Sequence, residues 1–112
     1  MDPMPIACRL SAEELRCAAT ELLPGLIRDA RAVTAAPSGV RLTFDAADGL
    51  GRRIASVIER ERRCCPFLDF VIEIPAGAET VSLVVSGPDG TRELLRTIVP
   101  ELEIEGVARA SA

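Results

Sequence analysis

Leu50-Gly-Arg-Arg-Ile54-Ala-Ser-Val57-Ile58-Glu-Arg-Glu61-Arg-Arg-Cys64-Cys65-Pro66-Phe67-Leu68-Asp69-Phe70-Val71-Ile72-Glu73-Ile74 changes its hydrophobic period part-way along. Leu50, Ile54, Val57 and Ile58 recur at three- and four-residue spacing, which places them on one stripe of a helix from about Ala47 to Cys64. After Pro66 the spacing becomes two. Phe70, Ile72 and Ile74 then point to one face of a strand over about 69–75. A helix feeding directly into a half-buried strand is the unit around which the rest is arranged.

Downstream, Val81, Leu83 and Val85 give a second alternating strand at 80–86, joined to the first through Ala76-Gly77-Ala78. Asp89-Gly90-Thr91 opens a helix with the stripe Leu94, Leu95, Ile98 and Val99, ended near Pro100. Upstream, residues 31–35 and 40–45 read as a hairpin around Pro37-Ser38-Gly39, with Val40, Leu42 and Phe44 facing inward. Before it, Ile6, Cys8 and Leu10 share a face of a short strand at 5–10. Ser11 and Glu14 form a capping box, with Leu10 and Leu15 placed as its hydrophobic staple. The helix so begun carries Leu15, Ala18, Ala19, Leu22 and Leu23, and is expected to kink or end at Pro24-Gly25.

The expected order is β-α-β-β-α-β-β-α. Clean alternation means a sheet covered on one face, and short hairpins mean antiparallel pairing. The fold class is therefore α+β: a two-layer sandwich, mainly antiparallel, with helices packed on one face. One domain over 1–102 and a flexible tail over 103–112 complete the expected organisation. Val71 and Val84 fall on the opposite face, where they serve either as ordinary surface or as a homodimer contact.

Composition narrows the chemistry. The chain of 112 residues has no His, Lys, Asn, Gln, Tyr or Trp, so reactive groups must come from Cys, Asp, Glu, Arg, Ser or Thr. A net charge of -4 opposes binding to phosphate backbones, and no Tyr or Trp is present to stack on bases, so no nucleic-acid partner is expected. No stretch approaches the ~18 apolar residues of a membrane helix, and the N-terminus lacks the charged and apolar regions of a signal peptide. A cytoplasmic protein with reduced thiols is expected. The 4 cysteines show no paired spacing of the kind that marks a disulfide framework.

Within this inventory the end of the long helix stands out. Glu61 lies one heptad after Ile54, on the apolar stripe, where a carboxylate is out of pattern. Cys64 and Cys65 follow three and four residues later, within side-chain reach for as long as the helix persists. Pro66 disfavours helical backbone at Cys65, so Cys64 closes the helix and Cys65 begins an extended segment. A disulfide between these neighbours is disfavoured by reach: consecutive Cα atoms are about 3.8 Å apart, below the roughly 4.4–6.8 Å that a disulfide usually spans. Zinc is disfavoured by the missing imidazoles and the missing Cys-x-x-Cys. A soft ion that accepts two or three thiolates fits better, with Cys64, Cys65 and Cys8 as ligands and Cys17 incidental. The helix C-terminus opposes thiolate charge, so thiols are expected at rest and the metal displaces their protons.

The run Glu61-Arg62-x-Cys64-Cys65-Pro66-Phe67-x-x-Phe70, followed by Ser86-Gly87-Pro88-x-Gly90 and preceded by Ile6-Ala7-Cys8, is similar to a family of small bacterial proteins of unassigned function. The likeness spans roughly residues 5–99. It implies a loose association with mercury- and heavy-metal-resistance genes, and no catalytic residue.

Three readings follow. The first is a thiol site for a soft, Hg(II)-like ion. The second is a structural or interaction domain, in which Cys64 and Cys65 are core fillers and Glu61 snorkels from the end of its stripe. The third is a thiol-dependent enzyme of organomercurial-lyase type, which resembles those enzymes in residue set alone and needs Glu61 or Asp69 as the acid or base. Ser86-Gly87-Pro88-Asp89-Gly90 lacks the lysine and spacing of a phosphate loop and reads as a turn with a helix cap.

Overall fold

The computed structural model describes residues 22–105. In chain order these form α1 (Leu22–Asp29), β1 (Ala32–Ala36), β2 (Gly39–Asp45), α2 (Leu50–Cys64), β3 (Asp69–Glu73), β4 (Thr80–Ser86) and α3 (Thr91–Ile98). The strands make one antiparallel sheet ordered β1-β2-β4-β3. This is the expected α+β architecture. The expected strand at 5–10, the Ser11–Glu14 capping box, Cys8 and Cys17 lie outside the described residues.

Period-two alternation builds the core. In the β2–β4 register Val40 stands opposite Val85, Leu42 opposite Leu83 and Phe44 opposite Val81, so all six share one face. All six are buried, and each such side chain contributes roughly 1.5–3 kcal/mol over an exposed one. Against them pack Leu23, Leu26 and Ile27 of α1, Ile54 and Val57 of α2, and Leu95 of α3. Val99, Leu102 and Ile104, beyond α3, extend the same cluster. The opposite face is polar in its centre: Arg41 pairs with Glu73 across β4, and the hydroxyls of Thr43 and Ser82 lie 3.4 Å apart.

Four expectations need correction. Pro24-Gly25 does not break α1, which continues to Asp29. Pro24 falls in the first turn of the described helix, where its missing N–H would have met no carbonyl, and burial of Leu23, Leu26 and Ile27 favours continuing. The helix α2 starts at Leu50 rather than Ala47, because Gly49 takes a left-handed conformation (φ 83°) that ends the preceding turn. Ile72 and Ile74 are not core: they are 37% and 69% exposed. Ile72 does share a face with Leu83, but β3 is the last strand of the sheet and the helices cover the central strands more fully than this edge.

The fourth correction concerns the tail. Leu102 and Ile104 are buried, and Glu105 pairs in parallel with Thr34 of β1. Ala35 N donates to Glu105 O at 2.8 Å and Glu105 N to Val33 O at 2.9 Å. Ordered structure thus extends past residue 102, to at least Glu105. The Arg28 Nε hydrogen bond holds the exposed Glu101 carboxyl below its ordinary pKa range. That tie is present at neutral pH and is lost as acid protonates Glu101.

The β1–β2 hairpin turns on Pro37-Ser38, with Ser38 at φ 57°. Proline followed by a positive φ is the backbone of a type II turn. Arg92 of α3 clamps it: Nε donates to Gly39 O at 2.9 Å and Nη2 to Ala36 O at 2.6 Å. Charge-assisted bonds of this kind contribute about 1.5–3 kcal/mol. Arg92→Ala is expected to lower unfolding stability by about 2 kcal/mol in urea titration. Arg92→Lys should restore only part, because an ammonium lacks the fork that spans two carbonyls.

Candidate functional site

The end of α2 is fixed by its own backbone. Cys64 is the last helical residue, and Cys65 takes φ -130°, ψ 69°, outside the helical region that a following proline disfavours. Cys65 N donates to Glu61 O at 2.6 Å, closing the final turn, and Leu68 N donates to Cys65 O at 3.1 Å. Two consecutive hydrogen-bonded turns therefore lock the Cys64-Cys65-Pro66 corner between helix and β3.

Glu61 is fully buried at 0% exposure, together with Ile54 and Val57 on the same helix. Its place on the apolar stripe is as the spacing predicts. It does not snorkel, because its position on the stripe turns it into the interior and leaves no route to water. A carboxylate so enclosed is tolerated because it is partnered. Cys65 is 2% exposed and belongs to the core cluster, while Cys64 is half-buried and packs against the margin of that cluster. Arg60, Arg62 and Arg63 are exposed. Among the described residues, Arg62, Arg63 and Glu59 line an open hollow of about 520 Å³ on the helix surface.

The two sulfurs differ chemically. Cys64 is disulfide-bonded. Cys65 keeps its thiol. The expectation of fully reduced cysteines without disulfide pairing is corrected at Cys64. Sequence spacing carries no signal for it, because pairing depends on which segment the fold brings to the helix end. The predicted ligand Cys8 lies outside the described residues, so Cys64 and Cys65 are the candidate ligands that can be placed. No cluster of three or more His, Cys, Asp or Glu side chains suited to a metal occurs among the described residues.

Asp69, the alternative acid, opens β3 opposite Ser86 and is exposed. The Pro88–Thr91 segment is a turn with a helix start, as its sequence indicates: Thr91 Oγ1 donates to Pro88 O at 2.6 Å. The residue preceding the helix is Gly90 at φ 98°, with no side-chain cap. Sequence reasoning missed Arg92, whose role depends on the hairpin lying across α3. No described helix is long and apolar enough to cross a membrane.

Comparison with known proteins returns no match among family models, curated proteins or solved structures.

Proposed function

We propose that the corner closing α2 is a thiol site for a soft metal ion of Hg(II) type, with Cys64, Cys65 and Cys8 as the sulfur ligands. The observation that supports it best is the locked corner itself: two adjacent cysteines at a helix end, beside an enclosed carboxylate. A soft ion draws on thiolates in preference to oxygen ligands, and the chain has no imidazole to compete. Binding would release the thiol protons, so affinity would rise with pH. A cytoplasmic setting suits this reading, since thiols there are kept available.

The test is a competition titration of reduced protein with Hg(II) against a small thiol. Cys64→Ser combined with Cys65→Ser is expected to weaken binding by about a thousandfold, ~4 kcal/mol. An affinity unchanged by the double substitution ends the reading.

A second reading, an interaction or structural domain with core cysteines, is favoured by the 2% exposure of Cys65. It predicts that Cys65 resists alkylation in the native protein and reacts only on unfolding, and that Hg(II) binds no more tightly than to any isolated thiol.

A further inference from the structure

We infer that the outer edge of β3 recognises itself: a second copy of this chain pairs with it antiparallel, about a twofold axis at Ile72. The inference stands apart from the soft-metal reading, since Cys64 and Cys65 take no part in it.

β3 is the last strand on its side of the sheet, and among the described residues nothing pairs with its outer side. The other flank is occupied, because Glu105 pairs there with β1. Among the described residues, the exposed large hydrophobic side chains are Val71, Ile72 and Ile74, and all three lie on β3 or next to its end. Apolar side chains gathered on an unpaired strand mark a pairing surface. The usual defences of an edge are also missing. No proline lies inside β3, it pairs with β4 one to one without a bulge, and its two charges, Asp69 and Glu73, stand at its ends.

The ladder fixes which backbone groups this edge offers. Gly87 N donates to Ser38 O at 3.1 Å and Ala46 N to Glu79 O at 2.8 Å, just beyond the two ends of the β2–β4 pairing. Backbone groups alternate in direction along an antiparallel strand, so Val81, Leu83 and Val85 bond to β2, whereas Ser82, Val84 and Ser86 turn theirs to β3. Through the β3–β4 register, Asp69, Val71 and Glu73 are the residues that answer them. Phe70, Ile72 and the following Ile74 therefore present their N–H and C=O outward.

A second copy must match outward residues to outward residues, which leaves two registers centred on the strand. One sets Val71 against Val71 and so Asp69 against Glu73, and like charges directly opposite are destabilising. The other sets Ile72 against Ile72, Phe70 against Ile74 and Val71 against Glu73. It joins apolar side chains on the helix-covered face, opposes no like charges and leaves each Glu73 with its own Arg41. Pro75 then stands opposite Asp69, whose backbone is already turned to β4, so its missing N–H is not called on. The second register is the one inferred. One short strand pair is at the small end of specific interfaces, so the dimer is weak, with a Kd on the order of 10 µM.

Sedimentation velocity of the full chain from about 1 to about 200 µM tests this, in reductant so that disulfide-linked copies do not count. The expected result is a shift from monomer to dimer within that range and nothing larger. Ile74→Glu, at a position 69% exposed, should weaken association by about tenfold or more while dilute protein keeps its melting temperature. Val71→Arg should tighten it about threefold, because a guanidinium then faces Glu73 of the second copy at two symmetric places. In the rival register two guanidinium groups would meet instead, and association would weaken. A chain that stays monomeric throughout, its edge taken by its own residues or left bare, overturns the inference. Dimerisation indifferent to Ile74→Glu, or weakened by Val71→Arg, overturns it as well.

Discussion

Gly39→Ala is expected to cost roughly 4 kcal/mol or more, enough to leave a domain of this size largely unfolded. A Cβ built at Gly39 would stand 1.9 Å from Val85 O, 2.7 Å from Ser86 Cα and 2.8 Å from Val85 C. These are backbone atoms of β4, which have no rotamer to escape into. Relief therefore requires parting β2 from β4 at the Gly39–Ser86 pair, beside the hairpin that Arg92 clamps. The damage would spread from the ladder to the docking of α3. Gly51→Ala is the control: its Cβ meets nothing within 4 Å, and the exposed helical site should gain up to about 1 kcal/mol. Thermal melts by circular dichroism read both. A Gly39→Ala protein melting within a degree or two of wild type would show that the strands do not meet in this register.

The second large effect is expected at Glu61. Truncation to alanine in Glu61→Ala removes a fully buried side chain from a helix packed on the sheet. It leaves a cavity and strips the group that the carboxylate engages. Leaving a buried polar group without its partner costs about 1–3 kcal/mol, and cavity formation acts in the same direction. A loss of about 3 kcal/mol in urea unfolding is expected, with Glu61→Gln losing less because the amide keeps shape and hydrogen-bonding capacity. A loss under about 0.5 kcal/mol is the size expected of an exposed position and would contradict the enclosure.

These two sites differ in how far the chain announces them. Glu61 is legible because helical spacing is rigid: a residue one heptad after Ile54 must share its face, whatever the tertiary context. The corner is equally legible, since Pro66 constrains Cys65 locally. Gly39 reads only as turn punctuation, because its need for a missing Cβ arises from β4, far along the sequence. Ile72 and Ile74 show the same limit. Alternation assigns Ile72 correctly to the face of Leu83, yet burial depends on how far the helices reach toward β3. Val81, Leu83 and Val85 escape this problem because β4 is flanked on both sides. The disulfide at Cys64 and the docking of Leu102 and Ile104 are likewise products of long-range placement, which no local pattern encodes.

The pairing of Glu105 with Thr34 has a consequence for how copies of this chain can associate. An outermost strand offers its unused amides and carbonyls to any neighbouring chain that can align with it. Here Ala35 N and Val33 O, the groups β1 would present outward, are already spent on Glu105. Growth of a continuous intermolecular sheet through that flank is thus capped by the protein's own final described residue, and sheets cannot be laid end to end without first peeling it away.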